Sequence, residues 1–195
     1  RAYSGGVRRG ILGGTFDPPH VAHLIAGEVA YRDLDLDVVT FLPAGAPWQK
    51  ADRRVSDAEH RWQMICRAVE NIPYFEADQR EVRRDGWTFT ADTLADFDPQ
   101  DELILILGAD AARGIQTWQR WEYVVSRAQL AVAPRPGVDR AEVDAVIPVP
   151  FTWLDMPLLL LSGTTIRRRA EAGKTIRFMV ADSVWDYLED HNVYG

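Results

Sequence analysis

The chain has 195 residues, 47% of them hydrophobic and 26% charged, a balance that places it among folded globular proteins rather than disordered or membrane-spanning chains. Its 29 acidic residues outnumber 22 Lys and Arg, and the formal charge of -7 argues against a general nucleic-acid or acidic-membrane binder, so any anion site has to be local. A single cysteine, Cys66, excludes an internal disulfide framework and a thiolate zinc cluster and fits a reducing compartment, the cytoplasm.

Residues 1–9 are basic and glycine-rich with no long apolar stretch behind them, which does not read as a secretory signal; flexibility is expected there. Short β-branched or aliphatic runs at 10–12, 38–42, 103–107, 130–133 and 146–149 alternate with longer stretches of helical spacing, the pattern of βαβ units. Leu103-Ile104-Leu105-Ile106-Leu107 has no polar alternation, as in a central parallel strand covered on both faces. Ser56-Asp57-Ala58-Glu59 has the form of a capping box and predicts a helix to about Asn71, with Trp62, Ile65, Cys66 and Val69 on its inward stripe and Cys66 therefore in the core. The longest apolar run, Met156 to Leu161, is interrupted by Pro157 and falls far short of the ~20 residues a bilayer-spanning helix needs. A last helix is expected after Asp182, whose side chain would cap the first amides, with Val184, Trp185 and Leu188 inward and an end near His191 and Asn192. The predicted class is α/β: a single doubly wound, Rossmann-like domain over 1–195, with a mainly parallel sheet and a helical carboxyl-terminal portion.

Ligands of open α/β sheets bind just beyond the carboxyl ends of strands, which singles out the stretch from Ile11 to Leu24, where the first predicted strand meets the first predicted helix. Gly13 and Gly14 permit a tight turn and let a phosphate approach backbone amides; an ordinary glycine turn has the same composition. His20 and His23, three apart, fall on one side of a helical first turn, where the helix amino end and the imidazole donors together would make a phosphate cradle. Two such histidines also fit core, surface or zinc-pair roles, and the zinc reading wants a third ligand: Asp17 is the nearby candidate, while His60 and His191 belong to distant helices. No Gly-Lys-Ser or Gly-Lys-Thr follows the glycines, so the loop is not a Walker loop, and the three spaced glycines of a dinucleotide fingerprint are missing.

The stretch Gly-Gly-Thr-Phe-Asp-Pro-Pro-His-Val-Ala-His resembles the first signature of the nucleotidyltransferase superfamily, usually Gly-x-Phe-Asp-Pro-x-His-x-Gly-His. Leu161-Ser162-Gly163-Thr164-Thr165-Ile166-Arg167 resembles the second, usually Ile-Ser-Ser-Thr-x-Ile-Arg. The intervening Phe41-Leu42-Pro43, Trp48-Gln49-Lys50, the run Thr88 to Leu94, Gly108-Ala109-Asp110 and Trp118 are similar to the bacterial nicotinate mononucleotide adenylyltransferases, so the likeness runs from about residue 10 to the end. It implies transfer of AMP from ATP to nicotinate mononucleotide, with His20, His23 and Arg167 as catalytic residues. ATP would meet Gly13, Gly14, Thr15, Phe16, Gly108, Asp110, Ser162, Thr164 and Ile166, and the mononucleotide Lys50, Thr88 and Trp118. Mg²⁺ would arrive with ATP, with no protein metal cage. The partners would be these two small molecules, without nucleic acid or membrane, in a cytoplasmic chain for which a homo-oligomer is open.

The second signature has a physical reading of its own, because Ser162 or Thr164 can cap a helix and place Arg167 one turn in. Residues 163–178 hold Arg167, Arg168, Arg169, Lys174 and Arg177 against Glu171, a local charge of +4 on an acidic chain; a solvated basic helix face has the same composition. Two departures from the usual signatures, Ala22 for Gly and Gly163 for Ser, keep open a nucleotide-binding sensor without turnover. Another acceptor, such as phosphopantetheine or riboflavin phosphate, is the other alternative, and a zinc hydrolase built on His20 and His23 is a third class.

Overall fold

The computed structural model of the chain describes residues 5–45 and 55–195. Six strands, β1 (Arg8–Gly14), β2 (Val38–Pro43), β3 (Phe75–Ala77), β4 (Glu102–Gly108), β5 (Ala128–Ala133) and β6 (Phe151–Trp153), form one sheet in the order β3-β2-β1-β4-β5-β6. The pairs β1 with β4, β4 with β5 and β5 with β6 are parallel. That order is the doubly wound α/β arrangement expected from the alternating runs. The helices in chain order are α1 (Val21–Asp33), α2 (Ala58–Val69), α3 (Thr90–Ala95), α4 (Ala109–Arg113), α5 (Trp121–Arg127), α6 (Arg140–Asp144), α7 (Gly163–Glu171) and α8 (Asp182–His191). Among the described residues no helix is long and apolar enough to cross a membrane.

The chain divides into two compact units. The first takes the described residues of Arg1–Leu12 with Ala26–Thr40 and Phe89–Leu160. Its centre is β4, whose five consecutive aliphatic side chains, Leu103 to Leu107, are all buried, as a strand covered on both faces requires. Gly10 of β1 pairs with Ile104, and a Cβ there would stand 2.7 Å from Leu36 Cδ1 and 3.1 Å from Ile106 Cδ1, so the missing side chain is what lets Leu36 close over the strand. Of the amino-terminal stretch expected to be flexible, residues 1–4 lie outside the described residues and Arg8 and Arg9 are already in β1. The strand expected at 146–149 is not one: the amides of Val146 and Ile147 turn back to the Val143 carbonyl and finish α6. Pro148 and Pro150 offer no N–H to a ladder, and the strand forms immediately after them as β6.

The second unit holds Gly13–Ile25, the described residues of Phe41–Thr88, and Leu161–Gly195. Here α2 packs on α8, but not by the stripe the apolar spacing suggests. Arg61, Met64, Ile65, Ala68 and Val69 are buried, while Trp62 and Cys66 are only half-buried. The face is turned because the Arg61 guanidinium finds enough carbonyl acceptors inside to be buried. The capping box expected at Ser56 and Glu59 does not form either; Asp57 is the residue before the helix, with no side-chain cap, and the Ser56 amide donates to Asp17 Oδ2 at 3.1 Å. A capping box does occur at α6, between Asp139 and Glu142. In α8, Val184, Tyr187 and Leu188 are buried and Trp185 is half-buried with the Arg177 guanidinium over its ring; Ala181, not Asp182, precedes the helix, and no side chain caps it.

Candidate active site

β1 ends in Gly13 and Gly14, and the chain passes through Thr15, Phe16 and Asp17 into α1. Phe16 has a left-handed backbone, φ 51°, and a buried ring that meets Phe41 and stands edge-on to His23, with centroids 4.9 Å apart in the second case. The Asp17–Pro18 peptide is cis. At the start of α1 the Val21 amide donates to the Met179 carbonyl at 2.9 Å, so that helix-end donor is already taken. The His20 amide donates to His23 Nδ1 at 3.1 Å, which makes Nδ1 an acceptor and puts the proton of the neutral ring on Nε2. His20 is 2% exposed, and its ring stacks on that of His23 with centroids 3.7 Å apart.

The second signature is joined to this loop through Asp17. Ser162 Oγ accepts from the Thr165 amide at 3.1 Å and caps α7, as its position before Gly163 implies. One turn in, Arg167 Nη1 donates to the Asp17 carbonyl at 2.6 Å, and its Nη2 donates to Thr164 Oγ1 at 3.3 Å. The Asp17 carboxylate, 4% exposed, has Arg167 Nη1 3.8 Å from Oδ2 and accepts the Tyr194 hydroxyl at Oδ1 at 2.7 Å. Burial pushes the Tyr194 phenol well above the ordinary tyrosine range, and the Asp17 carboxylate adds to the rise. Gly163 is the small residue this contact requires, because a Cβ there would lie 2.7 Å from the Asp17 carbonyl oxygen. Arg167 and Asp17 also border a cleft of about 480 Å³ with Ser56, His60, Glu171 and Tyr194; His20 and His23 are not among its walls. Of the other basic residues in this stretch, Arg169 donates to the Thr175 carbonyl, Arg177 lies over the Phe178 and Trp185 rings, and Arg168 is exposed.

Beneath the loop lies Arg61, 2% exposed. Its Nε donates to the Ser56 carbonyl at 2.9 Å, Nη1 to the carbonyls of Thr15 (3.0 Å) and Ala44 (2.5 Å), and Nη2 to that of Gly45 (2.8 Å). Burial lowers the pKa of this guanidinium, and the neighbouring Asp17 carboxylate opposes that shift.

The remaining expected residues fall as follows. Gly13 is exposed with open space where a Cβ would point, Thr15 is half-buried, and Thr88 is buried in the second unit. Ile166 is 0% exposed and its amide donates to the Ser162 carbonyl, so its side chain anchors α7. Gly108, Asp110 and Trp118 belong to the first unit, where Asp110 is exposed in the first turn of α4 with Arg135 Nε 3.8 Å from Oδ1 and Trp118 is half-buried after the turn Ile115–Thr117. Lys50 lies outside the described residues. His60 and His191, distant in sequence, come within 6.2 Å of each other, and His60 Nδ1 is 2.8 Å from the Tyr187 hydroxyl. Among the described residues no three His, Cys, Asp or Glu side chains stand together as metal ligands.

Residues 11–169 match the family model described as cytidylyltransferase-like. A Desulfitobacterium hafniense protein named "Probable nicotinate-nucleotide adenylyltransferase" is 41% identical over 96% of this chain and 95% of its own length. The chain belongs to the nicotinate-nucleotide adenylyltransferase family. A Corynebacterium jeikeium protein of the same name is 37% identical over 94% of this chain and 98% of its own. In fold, this adenylyltransferase chain is similar to Plasmodium falciparum nicotinic acid mononucleotide adenylyltransferase complexed with NaAD, with a TM-score of 0.76 at 18% identity over 96% of this chain and 97% of that one. The same protein complexed with APC gives a TM-score of 0.74.

Three residues that shape the site in this adenylyltransferase family member escape motif reading. Asp17 stands inside the first signature but reads there only as a zinc-ligand candidate. Arg61 is hidden by its charge, although its spacing to Ile65 and Ala68 shares their helical face. Tyr194 lies outside any periodic stretch, and nothing local in the sequence announces its bond to Asp17.

Proposed function

We propose that this chain transfers the AMP moiety of ATP to nicotinate mononucleotide, releasing pyrophosphate and forming nicotinate adenine dinucleotide for NAD biosynthesis. The observation that carries the reading is the 41% identity over nearly the full length of both chains to a relative of that name. The acceptor phosphate is ionised at neutral pH and needs no strong general base. Catalysis then rests on in-line placement of the acceptor and on stabilising charge at the α-phosphate and the departing pyrophosphate. His23 has its Nδ1 engaged by the His20 amide and so presents an Nε2 donor, which suits a preorganised contact to an α-phosphate oxygen; the stacked His20 holds that ring in place and adds a second donor. Arg167, fixed by the Asp17 carbonyl and Thr164, supplies positive charge to the leaving phosphates.

The backbone from Gly13 to Phe16 and the capped start of α7 at Ser162 and Thr164 would receive ATP phosphates, and ATP would also meet Ile166 in the same helix. Asp110 after Gly108 would take the ribose hydroxyls. Trp118 would stack on the pyridine ring, Thr88 would contact its carboxylate through the backbone, and Lys50 would meet phosphate oxygens as a point charge. Mg²⁺ would arrive with ATP rather than in a protein cage and would supply positive charge to the phosphates. The reaction belongs to the cytoplasm. The test is a pyrophosphate-release assay with ATP and a panel of acceptors. Release with nicotinate mononucleotide at least tenfold above phosphopantetheine and riboflavin phosphate is expected, and preference for either of those would replace the assignment.

A further inference from the structure

We propose that Arg61 is a positioning residue for the phosphate-binding loop: its buried guanidinium sets the orientation of the Thr15–Phe16 peptide and ties that peptide to the loop after β2 and to the chain entering α2. This rests on the nucleotide-transfer reading above but names a residue outside both signatures. Four of the five guanidinium N–H groups are used on backbone carbonyls, those of Thr15, Ala44, Gly45 and Ser56. The acceptors come from three separate segments, and the rigid plane of the guanidinium fixes their mutual geometry in a way a flexible ammonium does not. A core-facing position of α2 is thus given to a charged group that is 2% exposed. Such a residue is strongly destabilising unless its hydrogen bonds are made, and these are.

The functional consequence follows from the planarity of the peptide. In a trans peptide the C=O and the following N–H point to opposite sides. With the Thr15 carbonyl held on Arg61, the Phe16 N–H is aimed away from α2, and the left-handed φ of 51° at Phe16 continues that turn into Asp17. The Gly14 carbonyl accepts from the Ala44 amide at 2.9 Å while the Ala44 carbonyl accepts from Arg61, so the loop is fixed from both sides of the same short stretch. A backbone donor intended for a developing negative charge has to be held in place before the ligand arrives, since a misplacement of about 1 Å costs on the order of 10² in rate.

The experiment pairs variant kinetics with a measurement on the unaltered protein. Arg61→Lys keeps the charge and loses the planar fork; Arg61→Gln keeps two donors and loses the charge. Folding is followed by cooperative thermal unfolding, and kcat and both KM values by pyrophosphate release, using whichever acceptor the unaltered protein turns over, so that a wrong acceptor assignment does not masquerade as a failure of Arg61. Expected for both folded variants is a kcat lower by about 10² with KM values within threefold. In the unaltered protein, side-chain ¹⁵N–¹H resonances of Arg61 are followed while a non-hydrolysable ATP analogue is added; they should shift on saturation, as a purely structural arginine beneath an uninvolved loop would not. A folded variant with kcat within threefold of the unaltered protein, or with its loss confined to KM, overturns the proposal. If neither variant folds, Arg61 resonances that ignore the ATP analogue overturn it, and resonances that follow it support it.

Discussion

The Tyr194 hydroxyl donates to Asp17 Oδ1 across 177 positions of sequence, at 2.7 Å, and the same carboxylate accepts the Ser56 amide at its other oxygen. Asp17 therefore ties three stretches of the second unit together: the first signature, the entry to α2 and the residues after α8. Its backbone carbonyl adds a fourth stretch, α7, through Arg167.

Tyr194→Phe removes one hydroxyl and keeps the ring. A hydrogen bond to an ionised carboxylate contributes about 1.5–3 kcal/mol, and its loss leaves Oδ1 of a nearly buried carboxylate without that donor. The expected outcome is a fall in unfolding free energy of about 2 kcal/mol in a urea titration. A change below about 0.5 kcal/mol would remove Tyr194 from the account of how Asp17 is held.

The same contact makes stability sensitive to alkali. The phenol keeps its proton more tightly in the folded chain, where burial and Asp17 raise its pKa, than in the unfolded chain, where a tyrosine titrates near 10. Above about pH 10 the unfolded chain has lost a proton that the folded one retains, so this contribution is fully present below about pH 10 and is lost as the pH rises beyond it. Burial raises Tyr187 in the same direction, so two groups act together. Unfolding free energy measured at pH 10 to 11 should fall more steeply in the unaltered protein than in Tyr194→Phe, by up to about 1.4 kcal/mol per pH unit for one proton. Equal slopes would show that the phenol titrates normally.

How far the site was legible beforehand differs from one residue to the next. His20, His23, Ser162 and Arg167 lie in short motifs whose chemistry is local: a capping hydroxyl before a helix, or two imidazoles three positions apart. β4 was legible because five aliphatic residues in a row fit a strand buried on both faces. The inward face of α2 is turned by one position from what apolar spacing predicts, since that spacing counts Trp62 and Cys66 and cannot foresee that carbonyls of Thr15, Ala44 and Gly45 converge where an arginine can be buried. The strand β6 was displaced because valines at 146 and 149 carry β propensity while Pro148 and Pro150 remove the donors a ladder needs. Contacts between residues far apart in sequence, such as Tyr194 with Asp17 or His60 with His191, have no periodic signal at all.

His23 has two tasks that substitutions can separate. Its Nδ1 accepts the His20 amide at the start of α1, and its Nε2 is the donor assigned to the α-phosphate. Asn in its place offers an oxygen to the amide but nothing at the Nε2 position; Ala offers neither. Both His23→Asn and His23→Ala should lower kcat by about 10² or more, the scale for one preorganised transition-state donor. Only His23→Ala should also lose about 1 kcal/mol of stability, as for a removed helix cap. Near-normal turnover in either variant would take the donor role away from His23.

Gly163 stands where the usual second signature has Ser, and the structure gives the substitution a physical sense. The Asp17 carbonyl comes so close that a Cβ on residue 163 would lie 2.7 Å from its oxygen and 3.2 Å from Arg167 Nη1. Both neighbours belong to the Asp17–Arg167 contact, so a larger residue has to push the first signature away from α7 or displace the guanidinium. The lost serine hydroxyl is thus exchanged for a closer approach of the two signatures. Gly163→Ala should cost about 1–3 kcal/mol, the range for inserting a methyl group into a packed site. It should also reduce kcat, because Arg167 is re-aimed. Gly163→Ser adds a hydroxyl donor to the same steric demand, so its stability should match that of Gly163→Ala while its kcat reports whether the hydroxyl compensates. Urea titrations and pyrophosphate release on the two variants side by side provide the check. Unfolding free energies within about 0.3 kcal/mol of the unaltered protein for both would mean that the backbone yields without cost and that the close approach does not explain the glycine.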